Sequence, residues 1–512
     1  MDAAEAWFYV AAWSELLGRS QSSAGPRPAV VAVAALPDEP LARLLSQDTI
    51  AWLLEDRVFS AAFFDQLSAY DNLPQVLVIL QTLREADPRR FAAYSQLALA
   101  IALVYDSPPP RDWPHAQVSA KVLPRVLPPP LEAFNFLVDA DQRGVTLHKL
   151  TTLPASELKF AVDFVASFDD LVWAQKSLHF TLAQLPKSYD SVRYRTDRLN
   201  ARQYAWPGDS YDLPRIYSEG GICVDQAYFA TQAGKAKGVP TLLFRGEGQD
   251  GRHAWFGYLG TGKKWVLDAG RYAEQRYVTG VAHDPQTWAD LSDHELQFLS
   301  EGFHQLPPYQ QSRPWELFAK LYLQLGQTKE AAAAARRAIA CERRNLEAWE
   351  TLLAVNADVD FKTREQLLGE AAAAFQRYPD LNARFLRALA ASLRSRGEAT
   401  AAETEERAIA RKNQTGRTDL TVEQAAAAIS QMMENTPLSE QLLLYKQTLQ
   451  RYGKGAGMDF YDRVVRPFVR RLASQGHASE AKTALAQARL VLKPDPDSQL
   501  DQEMTELAEK LK

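Results

Sequence analysis

Between residues 220 and 268 a helical pattern is followed by three short apolar runs. That order constrains the fold more than any other feature of the chain. Gly220-Gly221-Ile222-Cys223 gives way to a helix-like run from Ala227 to Ala236. Gly238-Val239-Pro240 then opens residues 241–245, which read as a strand. A turn-rich loop, residues 246–251, leads to a second strand at 253–259. Gly260-Thr261-Gly262-Lys263 makes a tight turn, and residues 264–268 form a third strand. One helix packed on an antiparallel sheet is expected, an α+β unit. If Thr261-Gly262 is the two-residue loop of a hairpin, Asp268 lies across from Trp255 and diagonal to His253, on the same face.

Cys223, His253 and Asp268 follow one another in the order of a thiol acyl-transfer site. A cysteine at a helix N-terminus feels the positive end of the macrodipole, which favours thiolate. An imidazole beside it takes the proton, and a carboxylate fixes the imidazole's tautomer. Gly-x-Cys-x-Asp-x-Ala at 221–227, Gly238-Val239-Pro240, His253-Ala254-Trp255 and Trp265-Val266-Leu267-Asp268 together resemble the transglutaminase-like superfamily, a papain-like thiol fold. The likeness covers residues 210–275. It implies that Cys223 is the nucleophile, His253 the base and Asp268 the orienting acid. Members include transglutaminases, cysteine proteases, peptide N-glycanases and non-catalytic relatives, so the likeness does not choose the reaction. With only Cys223 and Cys341 the chain lacks the paired CxxC ligands of the N-glycanases, and no EF-hand-type calcium loop is present. Tyr211, Tyr217 and Gln203 are candidates for the oxyanion-stabilising side chain, beside the N–H of Cys223. Trp255 is a candidate cleft wall against substrate.

Each residue also has a plainer reading. A free cysteine is commonly a small buried hydrophobe, a histidine at a strand edge a satisfied polar residue, and an aspartate closing a strand turn chemistry. Asp225, near the helix start, complements the dipole.

At 512 residues the chain is too long for one core. Residues 1–150 read as a helical domain with a proline-rich arm. Within it, residues 40–54, 58–70 and 73–85 carry apolar positions at three-to-four spacing, and 89–105 is apolar nearly all round, a buried helix. Pro108-Pro109-Pro110 and Pro128-Pro129-Pro130 bracket the arm, a linker or wrapping segment. Residues 151–305 form the thiol domain. In it, 156–185 reads as helix, and Ser292-Asp293-His294-Glu295 is a capping box opening a helix through Phe303. Residues 306–512 read as a C-terminal α-solenoid. Trp315 and Trp349 stand 34 residues apart, the tetratricopeptide period, and Gly326…Ala331 recurs as Gly397…Ala402 and Gly476…Ala481. Cys341 closes a repeat helix and reads as core.

A net charge of −5 with no basic stripe argues against nucleic acid. Two cysteines exclude a disulfide framework. No run approaches a membrane-spanning length. The start, Met1-Asp2-Ala3-Ala4-Glu5, is acidic and is not a signal peptide, so a cytoplasmic location is the default, with cell envelope or secretion if a leader has been trimmed. The expected activity is thiol-dependent acyl transfer or hydrolysis on protein or peptide amides, with no metal or organic cofactor. The alternative is a non-catalytic interaction scaffold in which the triad is a relic and the solenoid binds a protein partner.

Overall fold

A computed structural model describes residues 2–22, 38–271, 279–357, 360–413, 416–432 and 436–511. It is a mixed α+β chain: an N-terminal helical region, a small open sheet, and a C-terminal helix-rich region. The chain separates into two compact units. The first comprises Met1–Phe244, Ala254–Arg271 and Val281–Leu291. The second comprises Arg245–His253, Tyr272–Gly280 and Ser292–Lys512.

In the first unit the apolar stretch expected as one helix is two, Pro88–Ala93 and Ser95–Val104. They break at Tyr94, whose hydroxyl donates to the buried carboxylate of Asp141 at 2.8 Å. Leu97 to Val104 are all buried, as an all-round apolar helix requires. The proline-bracketed stretch wraps. Trp113, His115, Val118 and Leu123 are buried along it, and Arg125 ties it by donating to the carbonyls of His115 and Val118. Residues 156–185 are likewise interrupted, into Ala155–Val162, Phe168–Ser177 and a 3-10 turn, Leu182–Gln184.

Cys223 does open a helix, Cys223–Ala236, and every residue from Val224 onward in it is buried. Such a helix must satisfy its polar groups internally. The Gln232 side chain accepts from the N–H groups of Val165 and Ala166, and Lys235 pairs with Asp163 at 2.5 Å. Gly234 is required where the helix meets the sheet, because a Cβ there would sit 2.6 Å from the Thr241 methyl.

The strands are β1 (Thr241–Glu247), β2 (Arg252–Leu259), β3 (Trp265–Ala269), β4 (Val281–His283) and β5 (Asp290–Ser292). They form one sheet in the order β3-β2-β1-β4-β5, with β2 and β3 antiparallel. The β2–β3 connection is longer than expected. Thr261–Lys263 forms a 3-10 turn closed by the Gly260 N–H on the Lys264 carbonyl. Tyr258 therefore pairs with Val266 and Phe256 with Ala269, and the irregularity between them sets Gly257 against Leu267 and Asp268.

The second unit holds most of the remaining helices, which pack largely each against the next: Pro307–Gln324 on Thr328–Cys341, Phe361–Ala374 on Pro379–Ser395, and that helix on Ala399–Asn413. Gly326, Gly397 and Gly476 all take left-handed φ (+72°, +83° and +86°) where one helix turns into the next. Ala331, Ala402 and Ala481, five residues on, are fully buried. The capping box at Ser292 is present, but its helix stops at Leu299 and is followed by a separate 3-10 turn, Gly302–Gln305. Phe298, Phe303, Tyr309, Phe375 and Tyr378 then cluster edge to face, with the Arg344 guanidinium over Phe303 at 4.0 Å.

Burial raises several carboxyl groups of the first unit. Asp71 and Asp163 are pushed up to about 6, and Asp106 and Glu157 to about 7. A carboxyl group with a raised folded-state pKa contributes stability that is complete below its unfolded value and is lost as pH rises through the folded value. The stability of this unit should therefore fall from about pH 4 to about pH 7, by up to about 1.4 kcal/mol per pH unit for each such group, and level off above that. Differential scanning calorimetry across that range tests it, and Asp106→Asn should flatten the curve.

Candidate functional site

The start of the Cys223 helix is organised by Asp225. Its Oδ2 accepts from the Ile222 N–H at 2.9 Å and pairs with Arg198 Nη1 at 2.8 Å. Its Oδ1 accepts from the Tyr211 hydroxyl at 2.8 Å. Tyr211 in turn meets His115 Nε2 at 3.0 Å. Arg198 lies over the Trp206 ring at 5.4 Å and donates to the Ala205 carbonyl. Asp225 and Arg198 are almost fully buried. Burial raises the Asp225 carboxyl despite the opposing pull of the Ile222 N–H and Arg198. Removing one partner of such a pair strands the other's charge. Arg198→Ala should cost about 3–5 kcal/mol in urea unfolding of the first unit.

This arrangement works against a reactive thiol. Cys223 is partly buried and packs against the core. Burial pushes its thiol up to about 11, with Asp225 adding in the same direction and the Ala254 amide opposing. The favourable end of the helix dipole is spent on the Asp225 carboxylate. Near neutral pH only about one molecule in a thousand or fewer would carry thiolate.

The other residues singled out in the sequence lie as follows. Asp268 is exposed, near Tyr258, whose hydroxyl is raised by burial and then by the Asp268 charge. The longer β2–β3 turn puts it in the irregular stretch beside Gly257, not across from Trp255. His253 is buried on β2. Tyr211 is buried and committed to Asp225. Tyr217 is 45% exposed, its ring against Trp173 and Phe229. Gln203 is exposed, its N–H donating to the Arg198 carbonyl. Trp255 is wholly buried; its Nε1 donates to the Leu267 carbonyl, and Arg271 lies over its ring at 5.2 Å.

Among the described residues no three His, Cys, Asp or Glu side chains gather closely enough to hold one ion. No cluster of these side chains suited to a catalytic triad is found among them. That finding overturns three expectations: membership of the transglutaminase-like superfamily, an active triad of Cys223, His253 and Asp268, and thiol acyltransferase or hydrolase activity. No protein-family model matches the chain, and no curated protein matches it. Among the described residues no helix is long and apolar enough to cross a membrane. Arg198 and His115, which complete the buried network, carry no local signal in the sequence, because their partners lie far along the chain.

Cys223 should therefore be the slow thiol. Brief iodoacetamide treatment at pH 7.5, mapped by mass spectrometry, should label Cys341 ahead of Cys223. The rate at Cys223 should rise only as pH approaches its raised value. Faster labelling of Cys223 at neutral pH would return it to the reactive class.

Proposed function

We propose that the protein is a non-catalytic interaction scaffold, with a C-terminal solenoid of tetratricopeptide-like helix pairs as its binding domain. One observation carries the reading: in residues 306–512 successive helices pack chiefly on their neighbours, with a left-handed glycine and a buried alanine repeated at three of the turns. Stacked pairs of that kind leave a long face of side chains free to meet another protein. The division of the chain into 1–150, 151–305 and 306–512 belongs to this proposal. In this reading Cys223 is a core thiol at a helix start, and Asp225 beside it has the structural task.

Wild type and Cys223→Ser are compared in two assays. Intact mass after incubation with a peptide amide and a primary amine should show no adduct on Cys223 and no cleavage. Cross-linking in lysate should recover the same proteins with both. A thioester on Cys223, or partners lost on Cys223→Ser, would defeat the scaffold reading.

A further inference from the structure

The tip of the β1–β2 hairpin is held in the second unit much as a bound peptide would be. Its backbone is gripped first. The Gly248 carbonyl accepts from the Met458 N–H at 3.1 Å, and the Asp250 carbonyl from the Leu500 N–H at 3.0 Å. Both donors lie in the first turns of helices, Gly457–Phe460 and Gln499–Lys510, where N–H groups have no partner within the helix. The Asp250 side chain accepts from the Asp495 N–H at 2.9 Å. Gly457, at φ +51°, lies so close to the Gln249 backbone that a Cβ there would collide with it.

The arginine that follows is read by its shape. Arg252 Nε and Nη2 fork onto the two oxygens of Asp462 at 2.8 and 2.6 Å. Nη1 and Nη2 reach Glu503 at 2.5 and 3.1 Å. Gln499 joins both parts, accepting from the Arg252 N–H at 3.0 Å and donating to Glu503 at 3.2 Å. The receiving carboxylates are braced from behind, since Arg466 pairs with Asp462 at 2.9 Å and with Glu503 at 3.5 Å. Burial raises Glu503, but Arg252 and Arg466 outweigh it and hold the carboxyl below its usual range. Asp462 is carried on a π-helical turn, Tyr461–Val465, flanked by the helices Gly457–Phe460 and Arg466–Ser474. Turns of this kind re-aim a side chain out of the regular helical register. Bidentate recognition by two carboxylates selects guanidinium over ammonium.

We infer that Asp462, Glu503 and Gln499, with the N–H groups of Met458 and Leu500, form a recognition site for a glycine-flanked, arginine-bearing turn of a partner protein. In this chain the hairpin tip occupies that site in cis. The inference rests on the scaffold reading and supplies its partner chemistry. A tethered occupant acts at an effective concentration of about millimolar, so a free segment competes poorly until the tip is released.

The test uses the full chain and a fluorescent copy of residues 246–253. Anisotropy titrations compare wild type, the released variant Asp250→Ala/Arg252→Ala, and the released variant with Asp462→Asn added. Melting curves report folding. The released variant should bind at least about tenfold more tightly than wild type, and adding Asp462→Asn should abolish the gain. Replacing the peptide's arginine by lysine should cost about tenfold. A folded released variant that binds no better than wild type, or that binds an arginine-to-alanine peptide equally well, overturns the proposal. If the released variant does not fold, wild type carries the test by hydrogen exchange. Millimolar peptide should speed exchange at the Arg252 amide by at least about fivefold, and the alanine peptide should not. Absence of that acceleration overturns it too. Failure here leaves the scaffold reading intact, because that reading falls on chemistry at Cys223 or on lost partners.

Discussion

The buried carboxylate of Asp225 is the constraint around which the first unit is arranged. It caps the central helix through the Ile222 N–H, neutralises Arg198, and anchors Tyr211, which reaches His115 on the wrapped proline-rich stretch. Three nearby segments thus meet at one group, and Tyr211 links it to His115, 96 residues from Tyr211. Buried polar groups are costly unless satisfied; here the two oxygens of Asp225 take hydrogen bonds from three donors. Burial raises the Cys223 thiol, and the Asp225 charge adds to it while the backbone amides at the helix start oppose it.

A second decision was made by one residue in a turn. A two-residue loop at Thr261-Gly262 would have aligned Asp268 with Trp255. The 3-10 turn Thr261–Lys263 adds a residue, with Gly262 at φ +69° and Lys263 at φ +56°. In a sheet such a slip changes which face a side chain presents. The irregularity at Gly257 adds a second residue of offset, so that Phe256 faces Ala269, and Asp268 ends exposed. A motif read as order and spacing can thus hold every residue type without the geometry that gives them a joint task.

The second unit shows how recognition chemistry and structural chemistry share their parts. Arg344 is fixed over Phe303 and paired with Glu342 in an aromatic cluster, and Arg252 is fixed by two carboxylates. The difference lies in the backbone around each. Arg252 opens a strand just after a turn whose Gly248 and Asp250 carbonyls are received by the N–H groups of Met458 and Leu500, an arrangement that a foreign segment of the same composition could reproduce.

By itself the sequence determined the local elements whose signals are short in range. Periodicity and glycine placement located the helix opening at Cys223, the strand beginning at Thr241, the next two strands to within one residue of their starts (253 and 264 expected, Arg252 and Trp265 found), the Ser292 capping box and the turns at Gly326, Gly397 and Gly476. Each depends on residues within a few positions of one another. Interruptions at Tyr94 and within 156–185 were not legible, because tertiary partners such as Asp141 set where those helices stop. Only the tertiary structure decided what the named residues do. Burial and the Arg198 pairing turned Cys223 and Asp225 from a reactive helix start into a structural one. One extra turn residue and the irregularity at Gly257 moved Asp268 out of its expected place. Arg252, an unremarked residue beside His253, gained its role from Asp462 and Glu503, more than two hundred residues along the chain. Charge desolvation and strand register depend on where distant segments come together, and no local pattern encodes that.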